Sequence, residues 1–322
     1  MQLAQKLLRD DLEHIEGCFR QYLTSDVPLI RQMSDHILAS GGKRIRPVLL
    51  LLCARLSGYG GEDRYTLASV IEFIHTATLL HDDVVDGAPL RRGQVSANVA
   101  WGNEVAILVG DYLFARCFEL MVDFCDRRIM KALASTTSLM AQGEVIQLMN
   151  SGDLSLDEER YLSVVRSKTA ALFSATCRCG AILGQLPSDR EEDLAAFGMD
   201  LGVAFQLVDD ALDYVADQNE SGKLLGRDLA EGKMTLPLIY ALRCCPGDER
   251  QKVSAIFDKD HLHADDLGFV QSLINRYDGI GYTHRQASFY VSQARARLAA
   301  FPDSPARQAL AELAESAIHR RY

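Results

Sequence analysis

The stretch Leu67-Ala68-Ser69-Val70-Ile71-Glu72-Phe73-Ile74-His75-Thr76-Ala77-Thr78-Leu79-Leu80-His81-Asp82-Asp83-Val84-Val85-Asp86 decides the fold class. Its apolar residues fall at 67, 70, 71, 74, 77 and 80, the i, i+3, i+4 spacing of a helix. The helix leads into D-D-x-x-D. A second copy of that pattern, Asp209-Asp210-Ala211-Leu212-Asp213, closes another apolar run beginning Gln206-Leu207-Val208. Residues i and i+4 share a helix face, so Asp82 pairs with Asp86 and Asp209 with Asp213. Like charges one turn apart are unfavourable, and the C-terminal half of a helix is the wrong end for anions. One such cluster reads equally well as a solvated acidic face. Two, each leaving an apolar helix, ask for a compensating cation, and Mg²⁺ suits oxygen ligands that bridge to phosphate groups.

The same helical rhythm covers 104–123, 128–149, 157–183 and 192–216. Ser155 with Glu158 and Ser188 with Glu191 match the capping-box pattern, and Pro47 suits the first turn of a helix. Loops are expected at 58–61, 151–153, 217–233 and 245–247. No segment alternates apolar and polar long enough to predict a strand. Runs such as Glu104–Phe118 are apolar on nearly all sides, as in helices inside a bundle. The expectation is an all-α protein, a single large helical bundle forming one domain over residues 1–322.

Apolar residues make up 48% and charged residues 24%, ordinary for a globular enzyme. No apolar run approaches the roughly 20 residues that a membrane-spanning helix needs. The N-terminus lacks a signal-peptide pattern, so the cytoplasm is expected. The eight cysteines show no C-x-x-C pair or zinc spacing and read as reduced. A net charge of −10 makes nucleic acid an unsuitable partner. Any anion site must be built locally from a few placed cations or from metal.

Such cations are present. Gly41-Gly42-Lys43-Arg44-Ile45-Arg46-Pro47 sets basic residues beside glycines at a helix start, where backbone N–H groups favour anions. Arg91-Arg92-Gly93 follows the first acidic cluster closely. Lys168-Thr169 sits among apolar neighbours, where a cation must be paired or face a cavity. Lys223, Asp228 and Lys233 follow the second cluster. His75 lies roughly two turns before Asp82, on nearly the same face. It is either a core residue or a member of that face.

With these residues in view, the chain resembles the trans-polyprenyl diphosphate synthases. GGKRIRP, DDVVD with the following RRG, Lys168-Thr169, FQLVDDALD and the Gly222-Lys223 to Gly232-Lys233 segment occur in that family's order, over about residues 40–240. IEFIHTATLLHDDVVD and GEVIQLMN are similar to the long-chain, octaprenyl-type branch that makes quinone side chains. The resemblance implies the isoprenoid synthase fold around a central cavity, and a homodimer. It implies Mg²⁺, on the order of two or three ions, at Asp82 and Asp86 with Asp83 assisting, and at Asp209 and Asp213 near Asp210. Arg91, Lys168, Thr169, Gln206, Lys223 and Lys233 would contact an allylic diphosphate. Lys43, Arg46, His75 and Arg92 would hold isopentenyl diphosphate. The allylic C–O bond would break to a carbocation, the isopentenyl alkene would attack it, and the departing diphosphate would take the proton.

In this family bulky aromatic residues just before the first cluster stop chain growth. Ala77 and Thr78 are small there, which implies a long product, with a floor near Phe114, Phe118, Met121 or Val122. A short-chain farnesyl or geranylgeranyl synthase shares the motifs, but Ala77 argues against it. A class I terpene cyclase has no use for the Lys43, Arg46 and His75 set, and a non-catalytic regulatory subunit could lose its metal ligands. The apolar product suggests at most transient membrane contact.

Overall fold

The computed structural model describes residues 2–39, 41–91, 93–122, 126–215, 226–259 and 263–319. The chain is all-α. Its helices are α1 Gln2–Leu7, α2 Arg9–Tyr22, α3 Pro28–Ala39, α4 Ile45–Leu56, α5 Asp63–Val85, α6 Ala97–Trp101, α7 Asn103–Val122, α8 Arg127–Met149, α9 Glu158–Val165, α10 Ala171–Leu183, α11 Ser188–Val215, α12 Arg227–Ala230, α13 Leu236–Cys244, α14 Gly247–Phe257, α15 Ala264–Arg276, α16 Gly279–Leu298 and α17 Pro305–Ile318. A wide π-helical turn, Arg166–Ala170, joins α9 to α10. The expected helices are all present; positions 123 and 216, and the loop segment 217–225, lie outside the described residues.

Two sequence expectations need correction. A short antiparallel hairpin exists: β1 Leu90–Arg91 pairs with β2 Gln94–Val95. Strands of two residues are too short to show alternation, so no periodicity could reveal them. Neither capping box forms. The α9 cap is Asp157, whose side chain accepts from the Arg160 N–H at 2.9 Å. Glu158 turns instead to the Tyr282 hydroxyl at 2.8 Å and to Arg243 at 3.4 Å. Ser188 is already the first helical residue of α11, and Glu191 pairs with Arg178 at 2.9 Å. In both cases a tertiary partner takes the carboxylate that the local motif would have used.

The chain groups into two compact units. The first comprises Met1–Thr137, Ala175–Ala195 and Ala300–Glu312. There α5 packs against α2, α4 and α7. Leu49, Leu50, Leu52, Leu67, Val70, Ile71 and Leu113 are fully buried, as the helical spacing of the opening stretch requires. Arg44, at the α4 start, turns inward to Glu72 at 2.8 Å and Glu16 at 3.1 Å, over the Phe19 ring. It therefore ties α4 to α2 and α5.

The second unit comprises Ser138–Ser174, Ala196–Ala299 and Leu313–Tyr322. Here α13 packs on α9, α15 and α16. The π-helical turn lies unusually close to two other helices. A methyl group at Gly143 of α8 would sit 2.7 Å from the Ser167 hydroxyl and 2.9 Å from the Lys168 backbone nitrogen. One at Gly202 of α11 would sit 2.6 Å from the Ala170 Cα. Only hydrogen fits at these positions.

Gly202→Ala is expected to lower stability by about 1–3 kcal/mol through overpacking against backbone. Gly17→Ala, in the middle of α2 with no atom within 4 Å of the new methyl, is expected to raise it by about 0.5–1 kcal/mol through helix propensity. Urea denaturation midpoints of the two variants test the contrast; equal shifts would contradict it.

Candidate active site

The first acidic cluster ends α5. Asp82 and Asp86 are half-buried, and Asp86 is the C-cap residue. His75, Thr78, Leu79, Asp82 and Asp86 form one half-exposed stripe, which places His75 on the acidic face and outside the core. Asp83 points elsewhere. It is 3% exposed and accepts from Arg91, whose Nε lies 2.9 Å away. The pair ties the hairpin to the end of α5, assisted by the Ser96 hydroxyl donating to the Ala88 carbonyl at 2.5 Å. Lys43 is exposed and Arg46 half-buried at the start of α4. Arg92 and Lys223 lie outside the described residues.

The second cluster sits in the last two turns of α11. Asp209 and Asp213 are half-buried; Asp210 is 4% exposed. The Tyr161 hydroxyl donates to one Asp210 oxygen at 2.5 Å and the Gln206 amide to the other at 2.7 Å. The Gln206 oxygen in turn accepts from the Thr169 hydroxyl at 2.9 Å. A hydrogen-bonded chain thus runs Thr169–Gln206–Asp210–Tyr161. Asp213 accepts the Asp228 backbone N–H at 3.0 Å, and Lys233 donates its backbone N–H to the Asp228 carbonyl at 2.7 Å and its ammonium to Glu231 at 2.6 Å.

The hydrogen-bonded chain, Asp228 and Lys233 line a cavity of about 130 Å³. Lys168, Thr169, Gln206, Asp210, Asp228 and Lys233 supply its polar wall, and Leu156, Val164, Val165 and Met234 its apolar wall. The π-turn supplies Lys168 and Thr169. Its extra residue per turn breaks the regular helix and presents both side chains to the cavity, a use common at functional sites. Lys168 also contacts Glu144 of α8. Tyr161 and Glu144 escaped the sequence reading. Each lies beside other polar residues, Glu158-Glu159-Arg160 before Tyr161 and Gln142 and Gln147 around Glu144, so no local pattern set it apart.

Burial pushes the Asp210 carboxyl up to about 7, with repulsion from Asp209 and Asp213 adding to it. Asp228 is pushed well above the usual carboxylate range by burial, then by Asp210 and Asp213. These two carboxyls are costly to ionise in their present surroundings, and a nearby cation would favour their charged form. Among the described residues no three His, Cys, Asp or Glu side chains converge into a ready metal cage. Mg²⁺ binds through one or two carboxylates, keeps waters and completes its shell with substrate phosphates, and the i, i+4 carboxylate pairs suit that mode. The cluster residues thus fit a divalent ion carried with a diphosphate.

The chain resembles known proteins over nearly its whole length. The polyprenyl synthetase family pattern matches residues 27–274. The chain is 40% identical to the octaprenyl diphosphate synthase of Escherichia coli (strain K12), over 99% of both chains. It superposes on a polyprenyl synthase from Caulobacter crescentus CB15, complexed with calcium and isoprenyl diphosphate, with a TM-score of 0.96 and 40% identity, covering 100% of this chain and 98% of the other. A decaprenyl diphosphate synthase from Rhodobacter capsulatus gives 0.94 and 42%, covering 99% and 98%.

A raised carboxyl pKa has a sign. Folded Asp210 keeps its proton up to about 7, while the unfolded chain releases it near 3.8. Its contribution is fully present below the unfolded value and is lost as pH rises through about 7. Metal-free protein is therefore expected to lose stability relative to Asp210→Asn across that window. Denaturant midpoints of both at several pH values check this; a difference that stays constant with pH, or a wild type that gains on the variant as pH rises, would refute it.

Proposed function

The chain belongs to the polyprenyl synthetase family and is a long-chain trans-prenyltransferase; we propose that it adds isopentenyl diphosphate units to an allylic diphosphate such as farnesyl diphosphate, giving an octaprenyl chain for quinone side chains. The observation that carries this reading is the cavity with Lys168, Thr169 and Lys233 on one wall and apolar side chains on the other. It offers charge-assisted donors for diphosphate oxygens beside a surface suited to an isoprenoid.

The proposed division of labour follows from chemistry. Asp82 and Asp86, and separately Asp209 and Asp213, act as ligands for Mg²⁺ on diphosphate. A bound Mg²⁺ supplies Lewis-acid neutralisation of leaving-group charge. Lys168 and Lys233 donate to diphosphate oxygens as the allylic C–O bond breaks, an electrostatic contribution that grows as charge develops. Gln206 has its oxygen on Thr169 and its amide on Asp210, so its role is to hold the Thr169 hydroxyl in place. Arg91, fixed by Asp83, and the Lys223 side chain add further cations for the allylic diphosphate. Lys43, Arg46, His75 and Arg92 take the isopentenyl diphosphate. Its alkene attacks the allylic cation, a carbon–carbon bond forms, and the released diphosphate accepts the proton lost from the adjacent carbon. Val164, Val165 and Met234 keep water from quenching the cation.

Ala77 is fully buried on α5 and Thr78 is half-buried, with its hydroxyl on the His75 carbonyl at 2.7 Å. Neither presents an aromatic wall, which supports the long product. Phe118, one of the floor candidates on α7, is 53% exposed. On α7 it shares an exposed apolar stripe with Leu108, Ala115 and Val122. That stripe supports a homodimer, and a cytoplasmic enzyme accords with the finding that no helix among the described residues is long and apolar enough to cross a membrane.

Purified protein incubated with Mg²⁺, farnesyl diphosphate and excess isopentenyl diphosphate is expected to give a discrete octaprenyl product, lost with EDTA and reduced at least about 100-fold by Asp82→Ala. Ala77→Tyr, checked for folding by circular dichroism, is expected to shorten the product. A single-unit extension by the unaltered protein would make this a short-chain synthase, and no condensation would remove the reading. Light scattering is expected to find a dimer that Leu108→Glu dissociates; a monomeric wild type would exclude the interface.

A further inference from the structure

We propose that Glu144 is the positioning residue of Lys168, holding its ammonium against the cavity wall from outside the cavity. The inference rests on the reading of Lys168 as a diphosphate donor. The Lys168 ammonium contacts the Glu144 carboxylate, with the two side chains 21% and 19% exposed. Both carboxylate oxygens are cut off from water, and neither accepts a well-formed hydrogen bond from any described group. The ion contact with Lys168 is therefore what compensates this buried charge. A buried carboxylate left alone is strongly unfavourable, so the pair holds together firmly.

The backbone makes the contact possible. Gly143, the preceding residue, lets α8 approach the Ser167–Lys168 backbone to a distance that no side chain would allow. Gln147 and Ser151 lie three and seven residues beyond Glu144 on the same face of α8 and its continuation, and both line the cavity. Glu144 itself does not line it. It stands one turn before the lining residue Gln147, with its carboxylate on the Lys168 ammonium. Glu144 thus acts through the lysine. An unpaired lysine has a long flexible stem and strong hydration, which would draw it to solvent. Held by Glu144, the ammonium is already placed when a diphosphate arrives, and its rotamer freedom is already restricted.

The test is a double-mutant cycle on the full chain, with Glu144→Ala, Lys168→Ala and the double variant, measuring kcat for isopentenyl incorporation and urea midpoints. Glu144→Ala is expected to lower kcat about 10- to 100-fold, the usual effect of a misplaced catalytic group. In the Lys168→Ala background the same change is expected to alter kcat by less than about threefold, because residues acting as a unit are non-additive. Glu144→Gln, which keeps an acceptor of the same shape, is expected to recover most of the loss. Multiplicative losses, or a wild-type kcat in Glu144→Ala, would overturn the proposal. An inactive wild type would instead discredit the functional reading. The urea cycle then decides the pair: non-additive midpoints sustain the seating of Lys168 by Glu144, and additive ones reject it.

Discussion

The close seating of the π-helical turn between α8 and α11 is the constraint on which the cavity depends. Gly143 and Gly202 each leave room for backbone where a methyl group would collide. Between them lies a turn whose wide bonding pattern carries Lys168 and Thr169. A π-turn inserted into a helix is rare and locally unfavourable, so it needs surrounding packing to hold it. Here the packing leaves no room for a methyl group at either glycine, and it holds two polar side chains beside apolar ones.

That neighbourhood makes each polar contact count. In low dielectric an unpaired donor or acceptor is costly, while a satisfied chain is rigid. Thr169, Gln206, Asp210 and Tyr161 satisfy one another in sequence, and Lys168 and Glu144 form a second pair beside them. Asp209, Asp213 and Asp228 share the region with Asp210. Burial raises the pKa of Asp210 and of Asp228, and the charges of their carboxylate neighbours add to it.

The first acidic cluster resolves a different conflict. Three aspartates within five residues would repel one another, yet the helix turns Asp83 away from Asp82 and Asp86 and gives it to Arg91. The hairpin is thereby anchored, and the i, i+4 pair remains on the half-exposed stripe with His75. Arg44 undergoes a parallel sorting. Its neighbour Lys43 is exposed, while Arg44 is drawn to Glu72 and Glu16 and serves the packing of α4.

The sequence by itself determined the helices, because apolar periodicity is a local property that each segment states for itself. It also determined the two aspartate pairs, since i, i+4 spacing on a helix leaves no freedom about which carboxylates share a face. It placed Lys168 and Thr169 as cations and donors with something to face. Only the tertiary structure decided who meets whom. Glu158 and Glu191 fit capping boxes on paper, yet Tyr282, Arg243 and Arg178 took them. Tyr161 and Glu144 acquire meaning only beside Asp210 and Lys168, residues 49 and 24 positions away. The hairpin was too short for any periodicity, and the π-turn is held by glycines on helices remote in sequence. Local pattern follows from the geometry of one helix. Partnership depends on which helices the core brings together, and single-segment periodicity does not encode that.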